Sequence, residues 1–294
     1  MTTALSGSDL ATAIRSDVAS RAATLAEYGV VPKLAVVTAT DDESTAWYVR
    51  SIAGAAKRTG IACDIADLGP TAGTAEIGSV LAGLSADPDV HGVILQTPLP
   101  RGTDLAGLRS AIAPDKDIDG TNPVSLGRLF TGQRAFAPAT AQAVLTLLDH
   151  HSVDLRGKTA AVVGRSIVVG TPVAHMLVQR DATVTICHRH TTDLAAQTSR
   201  ADVVVAAVGV PGLLTTDHIG EGAIVIDVGT TATADGRLLG DVDAAAVEGH
   251  AGGLTPVPGG VGPVTTALLL ANTVTAATNL TDAIRADIGS AVSV

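Results

Sequence analysis

Lys158 to Pro172 reads K-T-A-A-V-V-G-R-S-I-V-V-G-T-P: a short aliphatic run, a glycine, then a second glycine with Thr-Pro behind it. Thr159–Val163 has the composition of a strand buried on both faces. Gly164 falls where the chain must turn sharply, and Thr171 with Pro172 is expected to supply an N-cap and an N1 proline for the next helix. The pattern departs from G-x-G-x-x-G, and alone it also fits an ordinary strand-to-helix turn. Its context is more telling, because another strand, Thr183–Cys187, ends about 20 residues on, the spacing of a mononucleotide-binding unit.

Working outward, Asp202–Ala206 and Ala223–Asp227 are two further aliphatic strands at helix-sized intervals, so residues 147–264 read as a Rossmann-type dinucleotide-binding domain. The chain before it alternates in the same way. Helices are expected over Leu10–Tyr28, Ser44–Arg58, around Thr74–Ser85 and from Thr140 to His150, with strands at Lys33–Thr38, Ile61–Ala66 and Gly92–Gln96 and a loop over Pro98–Asn122. Such alternation implies a mostly parallel sheet covered on both faces. The fold class is therefore α/β with two domains: an N-terminal α/β catalytic domain, residues 1–146, completed by a C-terminal helix within 265–294, and the Rossmann domain.

The 294 residues are 46% hydrophobic with only five aromatic side chains, so the cores must be aliphatic and the adjacent Trp47-Tyr48 stands out. A net charge of −10 without a Lys/Arg cluster argues against nucleic-acid or membrane-surface partners. Two cysteines, Cys63 and Cys187, and no Cys/His set at ligand spacing argue against a disulfide framework and a metal site. The N-terminus has no continuous apolar signal core, and no apolar run reads as long enough to span a bilayer. A cytoplasmic protein is expected.

Three segments carry candidate chemistry. Thr255–Thr266 reads T-P-V-P-G-G-V-G-P-V-T-T, a run expected to form neither helix nor central strand. Its prolines fix φ, and Gly259 and Gly260 let a ligand approach the main chain without a Cβ in the way. At the end of Thr183–Cys187, Cys187-His188-Arg189-His190 replaces the acidic residue that an NAD site places near the ribose, so Arg165 and Arg189 are candidates for a 2′-phosphate. In the first domain, Tyr48 and Ile52 share a helix face, while Gln96-Thr97-Pro98 and Pro114–Gly120 lie at the expected ligand edge of the sheet.

Together these segments resemble the bifunctional methylenetetrahydrofolate dehydrogenase/methenyltetrahydrofolate cyclohydrolase family over nearly the whole chain. The carriers are Tyr48–Ser51, Gln96–Pro100, Pro114–Gly120, Pro138–Thr140, Gly164–Pro172, Gly222–Thr230, Gly240–Val242 and Thr255–Thr265. The resemblance implies an NADP-dependent enzyme acting on tetrahydrofolate one-carbon derivatives, usually a homodimer, with folate in a cleft between its domains. It implies that Tyr48 packs on the pterin, that Gln96 and Asp119 bind folate or support a catalytic lysine, that Pro258, Gly259 and Gly260 line the folate site, and that Gly164, Arg165, Ser166 and Thr230 bind NADP.

One departure bears on the reaction. The family's lysine stands four residues after the tyrosine, where this chain has Ile52. Lys57 is five positions further on, about 140° around the helix axis at 3.6 residues per turn. Thr171 likewise replaces a usual basic residue and Ala139 a frequent cysteine. The reading is a dehydrogenase whose cyclohydrolase step is weakened. The alternatives are a fully bifunctional enzyme, rescued by water or by a side chain such as Arg50, a folate- or NADP-binding relative without turnover, and a Rossmann oxidoreductase acting on another substrate.

Overall fold

The computed structural model describes residues 1–233 and 236–291, the stretch 282–291 as backbone only; residues 292–294 of the C-terminal segment lie outside the described residues. In chain order the first elements are β1 (Thr3–Ala4), α1 (Ser8–Glu27), β2 (Lys33–Thr38), α2 (Glu43–Arg58), β3 (Ala62–Asp67), α3 (Thr74–Ala86), β4 (Gly92–Leu95), α4 (Leu105–Ser110), α5 (Pro123–Phe130) and α6 (Ala139–His150). Then come β5 (Thr159–Val163), α7 (Gly170–Val178), β6 (Thr183–Cys187), α8 (Leu194–Thr198), β7 (Val203–Ala206), β8 (Ile224–Asp227), β9 (Thr231–Ala232), β10 (Leu238–Leu239), α9 (Ala244–Val247), β11 (Gly253–Leu254) and α10 (Val261–Ala291).

The chain forms two compact units. One combines Ala13–Ala137 with the chain from Thr266 onward, and the other combines Met1–Thr12 with Pro138–Thr265. In the first, β2 lies between β3 and β4, all parallel. Its middle strand is buried from Leu34 to Thr38, which is why the segment reads as an unbroken apolar run rather than an alternating one. Ile77, Leu81, Leu108 and Ile112 pack against Ala35, Val37 and Val93 of this sheet. In the second unit the order is β1-β11-β8-β7-β5-β6, with every pairing parallel. Val204, Val225, Leu214 and Val247 share its aliphatic core.

Both sheets have a topological switch point. From β2 the chain crosses to β3 on one side and later to β4 on the other; from β5 it crosses to β6 and later to β7. Open α/β sheets bind ligands outside the strand C-termini at such points.

Several expectations need correction. The segment Pro98–Asn122 is not all loop, because Asp104 caps α4 by accepting from the N–H of Gly107 at 3.0 Å. Thr171 is not an N-cap: α7 already starts at Gly170, and the Thr171 hydroxyl donates to the carbonyl of Arg165 instead. Pro172 is then the third helical residue, where its missing N–H costs no intrahelical bond. The Pro-Gly run is also partly helical, for α10 opens at Val261 and places Gly262 and Pro263 in its first turn. Over Val261–Thr281 that helix is long and apolar enough to cross a membrane by length and composition, contrary to the sequence reading, but 67% of the stretch is buried, as in a core helix.

Candidate functional site

In the first unit the site grows from the start of α2. The Asp42 carboxylate accepts from the backbone N–H of Thr45 at 2.7 Å and from the hydroxyls of Ser44 and Thr45, which hold it below the ordinary carboxylate range. This cap sets the rotation of α2, so Tyr48 and Ile52, one turn apart, share a face. Ile52 is wholly buried. Tyr48 is half-buried, and burial pushes its phenol up to about 12, with the charge of Asp119 acting in the same direction and a hydrogen bond to the Thr266 side chain opposing both.

Asp119 is half-buried on a loop that the charges of Pro114–Gly120 do not leave solvated. Asp117, fully buried, accepts from the N–H groups of Thr121 at 3.1 Å and Asn122 at 2.8 Å. The Asn122 side chain donates to the carbonyls of Ile112 and Arg109, and Asn272 of α10 donates to the carbonyl of Ile118 at 2.8 Å. Burial raises Asp117, against the hydrogen bonds of Ser125, Asn122 and Thr121 and the charge of Arg109. Arg109, on α4, feels both Asp119 and Asp117. Gln96 sits at the switch point just past β4, its backbone N–H donating to Val37 and its amide to the carbonyl of Thr97 at 3.1 Å. The peptide bonds before Pro98 and Pro258 are both cis.

Tyr48, Asp119 and Thr266 thus meet, although they come from three distant segments. Sequence reasoning found the first two; Thr266 and Arg109 it passed over, since nothing local distinguishes a threonine behind a Pro-Gly run or an arginine at a helix end.

In the second unit Gly164 has φ +128°, and a Cβ there would overlap the carbonyl oxygen of Ala207 beyond β7. A Cβ on Gly170 would overlap the carbonyl oxygen of Gly164 itself. Two glycines six apart are therefore required because two turns of main chain touch at the switch point. Ser166 accepts at Oγ from the N–H of Val169 at 3.2 Å, shaping the turn. Val163 and Cys187 are register partners on adjacent strands, so Arg165 and Arg189 each leave the same edge two residues later, and both are exposed. The Arg189 Nε donates to His190 Nε2 at 3.1 Å, and the N–H of His190 to His188 Nδ1 at 3.2 Å. Thr230 is exposed just beyond β8. Gly260 is buried, Pro258 exposed, and the carbonyl of Gly259 accepts from the N–H of Gly7 at 2.9 Å. The thiols are poor nucleophiles: burial pushes Cys63 up to about 11, with Asp64 adding, and raises Cys187.

A parallel sheet with two glycines packed main chain on main chain at its switch point has the arrangement of a dinucleotide-binding α/β unit. Comparison with known proteins specifies which. Residues 138–281 match the tetrahydrofolate dehydrogenase/cyclohydrolase NAD(P)-binding domain, and residues 5–119 match the catalytic domain of the same name. The bifunctional protein FolD 1 of Rhodococcus jostii is 71% identical over 277 residues, covering 94% of this chain and 93% of that protein. The bifunctional FolD of Campylobacter jejuni superposes with a TM-score of 0.91 at 37% identity, over 95% of this chain and 99% of that one. The FolD of Trypanosoma brucei, solved with NADP cofactor and inhibitor, gives 0.91 at 35% identity over 95% and 98%. The chain belongs to the tetrahydrofolate dehydrogenase/cyclohydrolase family.

Proposed function

We propose that this protein oxidises 5,10-methylenetetrahydrofolate to 5,10-methenyltetrahydrofolate with NADP, and that its hydrolysis of the product to 10-formyltetrahydrofolate is weak. The observation that carries the first part is the turn from Gly164 to Gly170, where main chain packs on main chain at the switch point ahead of α7, the place where such sheets hold a pyrophosphate. Gly164, Arg165, Ser166 and Thr230 would hold the dinucleotide, with Arg165 and Arg189 at one strand edge for a 2′-phosphate. NADP supplies the hydride acceptor. Tyr48 offers an aromatic face to the pterin, Gln96 an amide and Asp119 a carboxylate, while Pro258, Gly259 and Gly260 line the folate site; hydride transfer needs chiefly such positioning.

The second part rests on Ile52. Adding water and opening the ring require proton transfers to which a general acid/base contributes roughly 10²–10⁴-fold, and an aliphatic side chain can neither give nor take a proton. A fully bifunctional enzyme is the second reading, favoured by Arg109, whose guanidinium lies within electrostatic reach of Asp119. A guanidinium can steady a charge there but does not deprotonate near neutral pH. The fit of a cytoplasmic homodimer to this reading comes from the family resemblance and from a chain of net charge −10 with two free cysteines.

The test is spectrophotometric. Purified protein given methylenetetrahydrofolate and NADP should reduce the nicotinamide and accumulate the methenyl compound. No reduction would leave a binding relative without turnover, and hydrolysis as fast as oxidation would establish the bifunctional reading.

A further inference from the structure

Two carboxylates inside the dinucleotide-binding unit each accept three hydrogen bonds from backbone amides. Asp227 and Asp241 are 3% and 0% exposed. Asp227 Oδ1 accepts from the N–H groups of Gly229 and Asp241, both at 2.9 Å, and its Oδ2 from that of Val242 at 2.9 Å. Asp241 Oδ2 accepts from Val208 at 2.7 Å and Gly209 at 3.1 Å, and its Oδ1 from Val210 at 2.8 Å. Thr255 joins the set: its hydroxyl accepts from the N–H of Asp227 at 2.7 Å and donates to the carbonyl of the same residue. Glycines make the fit possible, since a Cβ on Gly240 would overlap Asp227 Oδ2 and a Cβ on Gly229 the carboxylate of Asp241.

The segments tied together by these carboxylates are the loops that leave β7, β8 and β10, beside the contact of Gly164 with Ala207. Burying two carboxylates costs free energy that a merely space-filling core would avoid. What the charges supply is strength and direction, because a carboxylate bonds amide N–H groups about twice as strongly as a neutral acceptor. Resting on the reading of this unit as the NADP site, we propose that Asp227 and Asp241 are positioning residues for the dinucleotide, holding these three loops in the one arrangement that accepts it.

Asp241→Asn tests this in the full-length protein. Both carboxylate oxygens are occupied by donors, so the new NH₂ must face an N–H whichever way the amide turns. NADPH affinity, read by fluorescence titration, should fall at least about tenfold, with the KM for NADP rising alike. The KM for folate and the kcat at saturating NADP should stay within about twofold, whereas general loosening would raise both KM values and lower kcat. Thr255→Val keeps both carboxylates and nearly the same volume; it should weaken NADPH about threefold, and it serves if Asp241→Asn does not fold. Unchanged NADPH affinity in a folded variant, or equal losses toward both substrates, overturns the proposal. A wild-type protein that takes no NADPH overturns the parent reading as well, and shows it before any variant is made.

Discussion

Ile52 lies one helical turn beyond Tyr48 on the same face of α2, yet Ile52 is fully enclosed while Tyr48 stays half-exposed and bonded to Thr266. A lysine placed at 52 would therefore bring an ammonium into a fully buried position, one turn from Tyr48 on which the charge of Asp119 acts. Ile52→Lys is expected to cost stability, about 2–4 kcal/mol if the ammonium stays unpaired, seen as a lower Tm. It is also expected to raise methenyl hydrolysis by roughly 10²-fold relative to oxidation. A variant that loses stability and gains no hydrolysis would show that position 52 alone does not restore the step.

Gln96→Ala and Asp119→Ala should impair folate turnover and leave NADPH binding nearly intact, since both residues belong to the compact unit that does not contain the Gly164 turn. Fluorescence titration with NADPH is the control. For Asp119 the loss should be partly mimicked by Arg109→Met, which removes the cation that Asp119 faces; a wild-type rate in that variant would reduce Arg109 to a packing residue.

Much of this was legible in the sequence because the signals were local. The buried strands Lys33–Thr38, Thr159–Val163 and Thr183–Cys187 announce themselves as apolar runs, and their bounds agree with the structure to the residue. Elements of two residues, β1 and β11, have no such signal; they exist through pairing with each other and with β8. The short helices α4 and α5 were hidden in a segment rich in Pro, Asp and Gly, where caps at Asp104 and Asn122 decide the matter. At the site, residue types next to turns were readable, such as Gly164 and Gln96. Thr266, Arg109 and the amide cage of Asp227 and Asp241 were not, since each depends on distant segments meeting.

Arg189→Ala should weaken NADP far more than NAD. Its guanidinium is exposed and bonded to the neighbouring His190, a contact it can give up to turn to a 2′-phosphate at the edge it shares with Arg165. Loss of one charge-assisted bond is worth about 1.5 kcal/mol, roughly tenfold in affinity. Equal changes in kcat/KM for the two cofactors would return Arg189 to the solvated surface.

Asp227 makes a prediction about pH whose sign is opposite to that of most buried carboxylates in ion pairs. Burial pushes its carboxyl up to about 6, the N–H groups of Val242 and Asp241 pull it back, and the charge of Asp241 pushes it up again. The ordinary value is 3.8, so the folded protein holds this proton more tightly than the unfolded chain does. The stabilisation linked to the proton is fully present below the unfolded value and is lost as pH rises through about 6, a difference on the order of 3 kcal/mol. Near neutral pH the group is ionised, which strengthens its three amide bonds and at the same time weakens the fold as a whole. Asp227→Asn removes the titration. The Tm of wild type minus that of the variant should therefore fall between pH 4 and about 6.5 and then level off, and the wild-type carboxyl carbon should titrate near 6 by NMR. A midpoint at or below 4, with no fall in the Tm difference, would mean that the amides outweigh burial and that the loops are held by a carboxylate ionised throughout the range.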